Sequence, residues 1–317
     1  MRRVRHVFAW LGGIVFIAVC AVIVAALVYR ATVVSRLAPQ IFMTRSSSTG
    51  TPETYGAPYR IIKIHSHDRI LQAWAVDAGV GAPAILLFPG NGQTIHDLAQ
   101  VQAYLFHQGV SSMDFDYSGV GASTGKPTVR NLNQDAKAAW RTFAKWTGSG
   151  HPKFVFGYSL GTGVALHNAS AFTPAPRGII VYGAFSSAKS LIGYIAPGIP
   201  KVLVALMPDV WDNVEAAERL RQPLLVVAGM NDVNVPPING RQIALFAHDG
   251  GDFVLIPGAG HGGIVSSNAT TFDAVWKPIL AFVQKHSEGG PPASQATLGL
   301  PTHTQMPTSA PASTTGR

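Results

Sequence analysis

From residue 59 onward, short apolar runs alternate with segments of helical period. Tyr59 to His65 and Leu71 to Val76 alternate apolar and polar positions around His67-Asp68-Arg69, the pattern of a hairpin with one buried face. Six apolar runs follow, at Ala84 to Phe88, Val110 to Phe115, Lys153 to Phe156, Gly178 to Tyr182, Leu224 to Ala228 and Phe253 to Ile256. Runs of this kind suit strands covered on both faces. Between most of them lie amphipathic segments of helix length: Ile95 to His107, Asn131 to Trp146, Leu160 to Phe172, Pro237 to Ala247 and Asn268 to His286. A hairpin leading into repeated strand and helix units predicts an α/β fold, with a mostly parallel eight-stranded sheet and helices on both faces.

The N-terminus follows a different pattern. Val7 to Tyr29 is 23 residues without a charge, and as a helix it would cover roughly 35 Å, enough for a hydrocarbon core of about 30 Å. A cleaved signal peptide would have a shorter apolar region ending in a small-x-small site. This run ends in Val28-Tyr29-Arg30, so the expectation is a single-pass transmembrane anchor within residues 1–30. Arg2, Arg3 and Arg5 before it are denser than Arg30 and Arg36 beyond it, which predicts a cytoplasmic stub and an extracytoplasmic domain. Residues 31–58 read as a linker, 59–286 as the folded domain and 287–317 as a tail. Of the last 31 residues, 23 are Pro, Ser, Thr, Gly or Ala, a composition expected to stay disordered.

Charge and cysteine content narrow the function. The net charge of +8 suggests nucleic acid until it is located: residues 1–45 hold six arginines and no acid, leaving 18 basic and 16 acidic residues elsewhere. No basic stripe for phosphates is implied, and no nucleic-acid partner. Cys20 is the single cysteine, which rules out an internal disulfide and a thiolate metal site.

Three residues carry the candidate chemistry. Gly157-Tyr158-Ser159-Leu160-Gly161 is a G-x-S-x-G standing between an apolar run and a helical segment, the setting in which a sharp turn holds a serine hydroxyl clear of the backbone. A serine needs a base, and the base needs a group to fix its tautomer. Asp232 and His261 follow in that order, each just past a predicted strand, so all three residues fall on the carboxyl edge of the sheet. Acyl transfer also requires donors for an oxyanion. The amides of Leu160 and of Asn91, in the loop Phe88-Pro89-Gly90-Asn91-Gly92-Gln93, are the expected pair.

On these residues the chain resembles the α/β-hydrolase superfamily, and within it the membrane-anchored serine hydrolases of esterase, thioesterase and lipase-like type. Pro89-Gly90-Asn91 is similar to that family's His-Gly-Asn loop, with Pro89 in place of the histidine. Asp116-Tyr117-Ser118-Gly119-Val120-Gly121-Ala122-Ser123 is similar to its Asp-Tyr-Arg-Gly-Tyr-Gly-x-Ser loop, with Ser118 in place of the arginine. The resemblance implies a short helical cap at about residues 184–220. It also implies a catalytic triad of Ser159, Asp232 and His261 acting on small-molecule or lipid esters or thioesters, with no metal and no organic cofactor. A non-catalytic scaffold binding a membrane ligand or partner, and a serine peptidase, are the alternatives. A carboxylate nucleophile, as haloalkane or epoxide chemistry requires, is absent from position 159. Oligomeric state is not legible.

Overall fold

The sheet comprises β1 (Arg60–Ser66), β2 (Arg69–Val76), β3 (Ala84–Phe88), β4 (Ser111–Phe115), β5 (Lys153–Tyr158), β6 (Gly178–Tyr182), β7 (Leu224–Gly229) and β8 (Asp252–Ile256). These lie in the order β1-β2-β4-β3-β5-β6-β7-β8, antiparallel across β1, β2 and β4 and parallel from there on. The structure is a computed structural model that describes residues 10, 13–29, 50–195, 198, 200–206 and 210–287.

β3, β6 and β7 are apolar throughout because each buries both faces. Successive side chains point to opposite sides of a sheet, so Leu86 and Phe88 of β3 join one core layer while Ile85 and Leu87 join the other. The first layer is covered by α2 (Val129–Thr147) and α3 (Leu160–Ala169), with Trp140 and Phe143 at its centre. The second is covered by α1 (Ala99–His107) and α8 (Ala269–Ser287), through Leu105, Val275, Trp276 and Ile279. Between β6 and β7, in the segment expected to form a cap, lie α4 (Ala188–Ile195), α5 (Lys201–Leu206) and α6 (Asn213–Glu218); α7 (Pro237–Phe246) leads from β7 to β8.

Several boundaries differ from the periodic pattern for identifiable reasons. The first helix starts at Ala99 rather than Ile95, since the Ile95 amide donates to Asp116 Oδ1 at 2.9 Å and fixes a turn there. Pro52–Tyr55, inside the segment read as linker, forms a 3-10 turn tied to the end of α1, with the Tyr55 carbonyl 3.3 Å from His107 Nε2. Ser287 closes α8 instead of opening the tail. Of the predicted anchor, residues 10 and 13–29 are described and helical, and the remainder lies outside the described residues, as do residues 31–49 of the linker and 288–317 of the tail. Among the described residues no helix is long and apolar enough to cross a membrane.

Candidate active site

β5 ends at Tyr158 and α3 begins at Leu160, so the chain reverses through Ser159 alone. Its backbone sits at φ 50° and ψ −116°, a conformation that costs an L-residue about 1–3 kcal/mol. Neighbouring bonds hold it there: the Ser159 amide donates to the Tyr182 carbonyl on β6 at 3.0 Å, and the Ser159 carbonyl accepts from the Thr162 amide at 2.9 Å and its hydroxyl at 2.7 Å. The flanking glycines are demanded by space. A Cβ on Gly157 would lie 2.8 Å from the Gly161 carbonyl oxygen, and one on Gly161 would lie 2.0 Å from that of Phe88. Either side chain would force α3 off β5 or off the loop after β3.

The structure brings Asp232 and His261 to this serine. Asp232 is buried in the loop after β7; its Oδ1 accepts the amides of Asn234 at 2.9 Å and Val235 at 2.8 Å. Its Oδ2 lies 2.7 Å from His261 Nδ1, and His261 Nε2 lies 2.9 Å from Ser159 Oγ. A carboxylate can only accept, so Nδ1 carries the ring proton and Nε2 of the neutral imidazole is left to accept from the serine hydroxyl. His261 opens a 3-10 turn, His261–Val265, that the strand and helix pattern did not foretell. That turn is pinned by Tyr182, whose hydroxyl donates to the Gly260 carbonyl at 2.6 Å.

Three further residues shape the cluster. Gly183, at φ 62°, forms a floor: a Cβ there would stand 3.0 Å from His261 Cε1 and 3.4 Å from Asp232 Oδ2. The Tyr158 ring lies 5.2 Å from the His261 ring and also fills the space that a side chain on Gly90 would need. Burial, reinforced by the charge of Asp232, pushes the Tyr158 phenol up to about 12 and raises that of Tyr182 as well. Both therefore remain phenols at neutral pH and pack or donate. Tyr158 was visible only as the variable residue of the motif, and Tyr182 and Gly183 only as a strand end; no spacing rule singles them out.

Asn91 and Leu160 line the same small cavity, together with Gly90, Gly92 and Tyr117, and it has room for little more than a water molecule. The loop carrying Asn91 is braced at both ends. Gln93 Oε1 accepts the Gly90 amide at 2.8 Å, while Asp116 joins Ile95 to the loop after β4 by also accepting the Ala122 amide at 3.3 Å. Ser118, where the family pattern has arginine, accepts from Arg69 Nε at 2.8 Å, so a guanidinium reaches this loop from the β1–β2 hairpin instead. A roomier cleft lies away from the serine, between α6 and α7, lined by Asp212, Glu215, Glu218 and Phe246 among others. Among the described residues no group of three or more His, Cys, Asp or Glu side chains is arranged to hold a metal ion.

A family model described as serine aminopeptidase S33 matches residues 82–216, a stretch that includes Asn91, Ser159 and Leu160. The chain also superposes on an esterase of Pyrococcus furiosus with a TM-score of 0.60 at 16% identity, covering 77% of this chain and 98% of that one. The chain has the α/β-hydrolase fold. By sequence, the chain is 28% identical over 200 residues to an uncharacterized membrane protein of Saccharomyces cerevisiae, 61% of this chain and 69% of the relative. It is 26% identical over 256 residues to an α/β-hydrolase domain-containing protein of Arabidopsis thaliana, 75% of this chain and 82% of the relative. Asp232 and His261 lie past the end of the matched region, so it is the geometry alone that brings them to Ser159.

Proposed function

We propose that this α/β-hydrolase is a serine hydrolase that cleaves carboxylic ester or thioester bonds through an acyl-enzyme intermediate. The observation that carries the reading is the unbroken hydrogen-bonded chain from Asp232 through His261 to the Ser159 hydroxyl. In this reading Ser159 Oγ attacks the carbonyl carbon as its proton passes to His261 Nε2, and the amides of Asn91 and Leu160 hold the oxyanion. The alcohol or thiol leaves with the proton from Nε2. Water then attacks the acyl group, giving a proton to Nε2 that returns to Ser159 as the acid departs. Asp232 keeps its charge throughout, holding the tautomer and stabilising the imidazolium.

An acyl chain is the proposed apolar part of the substrate, and the N-terminal run Val7 to Tyr29 is proposed to anchor the enzyme in a membrane with its domain on the extracytoplasmic side. Three observations support the anchor: the uncharged sequence, the exposed apolar side chains of the helical residues 13–29, and the naming of the yeast relative as a membrane protein. The serine aminopeptidase description of the matched family model favours a second reading, in which the same triad opens a peptide bond. Hydrolysis of a nitrophenyl ester series from acetyl to palmitoyl, run beside aminoacyl nitroanilides, separates the two. Ester turnover that rises with chain length and vanishes in Ser159→Ala supports the lipid-ester reading; turnover confined to nitroanilides overturns it.

A further inference from the structure

The folded domain joins the rest of the chain at a telling place. β3 runs toward the carboxyl edge of the sheet, and His96, in the loop beyond it, bonds through Nδ1 to the Gly50 carbonyl at 2.9 Å. From Gly50 the chain runs back along α1, past Tyr55 at its far end, to begin β1 at the amino edge. Gly50, which 20 residues of sequence separate from the apolar N-terminal run, therefore lies on the carboxyl rim, the rim that holds Ser159, Asp232 and His261. Twenty residues reach at most about 72 Å.

The same rim carries large apolar side chains turned to solvent. Met230 and Val233 flank Asp232, and Val233 is 76% exposed. The Val233 carbonyl accepts from the Tyr194 hydroxyl of α4 at 3.1 Å, which ties the cap to this loop. Tyr194 and, on the neighbouring α5, Val202 are also exposed, Val202 at 64%. Charge beside these side chains is biased in the same sense: α4 and α5, within residues 188–206, contain Lys189 and Lys201 and no acid, the acids of the cap (Asp209, Asp212, Glu215 and Glu218) all following them in the chain, and residues 30–49 contain three arginines and no acid. Apolar side chains among cationic ones, on a rim tethered to an apolar segment, are complementary to an anionic bilayer surface.

We infer that the cap and the Asp232 loop form a membrane-docking face, built on Tyr194, Val202, Met230 and Val233, that seats the active-site rim on an anionic lipid surface. The inference rests on the anchor and lipid-ester reading above and adds an orientation to it: the site takes its ester from the bilayer in which its own N-terminus is held, with the amino edge of the sheet facing away.

The test uses the full chain with Cys20→Ala, reconstituted in phosphatidylcholine–phosphatidylserine vesicles containing nitroxide-labelled lipid. A fluorophore is placed through Val202→Cys, Val233→Cys or, as a control, Val80→Cys. Val80 is 98% exposed and lies between β2 and β3 at the opposite, amino edge. Quenching at 202 and 233 but not at 80 is expected. In addition, Val202→Glu lowers turnover of a vesicle-borne ester about tenfold while leaving turnover of a soluble short ester unchanged. Equal quenching at all three positions, or a chain that fails to float with the vesicles, overturns the docking face. Fluorophosphonate uptake at Ser159, scored on the same samples, reports the catalytic reading separately: uptake without rim quenching removes docking alone, and rim quenching without uptake leaves docking standing.

Discussion

Two hydroxyl and carboxylate clusters sit at the carboxyl rim of this sheet, and they differ in what surrounds the hydroxyl. At the β1 edge, Ser66 Oγ donates to Asp135 Oδ1 at 2.6 Å and accepts from Arg69 Nη2 at 3.2 Å, while Asp135 Oδ2 accepts the Ser118 amide at 2.9 Å. Ser66 and Asp135 are fully buried, and the guanidinium beside them has donors only, with no atom to accept the serine proton. At the middle of the sheet, Ser159 faces an imidazole nitrogen free to accept, on a backbone held in a strained turn beside a partly open histidine. A serine near an aspartate is thus a structural clasp or a candidate nucleophile according to whether a proton acceptor with a tunable charge stands between them.

Substitutions in each cluster break the comparison in different observables. The largest effect is expected for Ser159→Ala, with kcat reduced by about 10^6 as for removal of a serine nucleophile and thermal stability nearly unchanged. Ser159→Gly, which suits the positive φ, is expected to be equally inactive yet about 1 kcal/mol more stable by denaturant unfolding. Asp232→Asn should lower kcat by about 10^4, since an amide can hold the ring in the wrong tautomer; a loss under tenfold in steady-state assays would contradict the assigned role. Arg69→Met acts on the clasp instead. It leaves Asp135 buried without its cation, and about 3 kcal/mol of unfolding free energy should go, with kcat of the folded fraction largely kept.

The smallest effect concerns Asp116, which stands between the two clusters. Burial pushes its carboxyl up to about 6 against the amides of Ile95 and Ala122. The folded chain therefore holds this proton where the unfolded chain, at 3.8, has released it. The stabilising contribution is complete below the unfolded value and is lost as pH rises through the folded one. Relative to Asp116→Asn, the wild-type Tm is expected to rise as pH falls from about 7.5 to about 5. A pH-independent difference would contradict that assignment.

The parts legible in the sequence were those set by local pattern. β3 to β7 read as short runs because both of their faces are buried, while β8 at the sheet edge read as one though only Ile256 is buried, and the serine, acid and histidine read as residues just past strands. What escaped the pattern was set by contacts distant in sequence. The capture of the Ile95 amide by Asp116 delays a helix, and the Tyr182 hydroxyl reaches 78 positions along the chain to pin the loop before His261. Arg69 serves Ser118 from 49 positions away, so the departure from the family loop at Ser118 was legible while its compensation was not.

Activation of the Ser159 hydroxyl by His261 is read out by peptide mass spectrometry after treatment of the folded protein with a fluorophosphonate. A single adduct is expected on the peptide carrying Ser159, abolished in Ser159→Ala and strongly slowed in His261→Ala. A folded wild-type protein that takes up no adduct, or takes it up on another serine at the same rate in all three proteins, would contradict it.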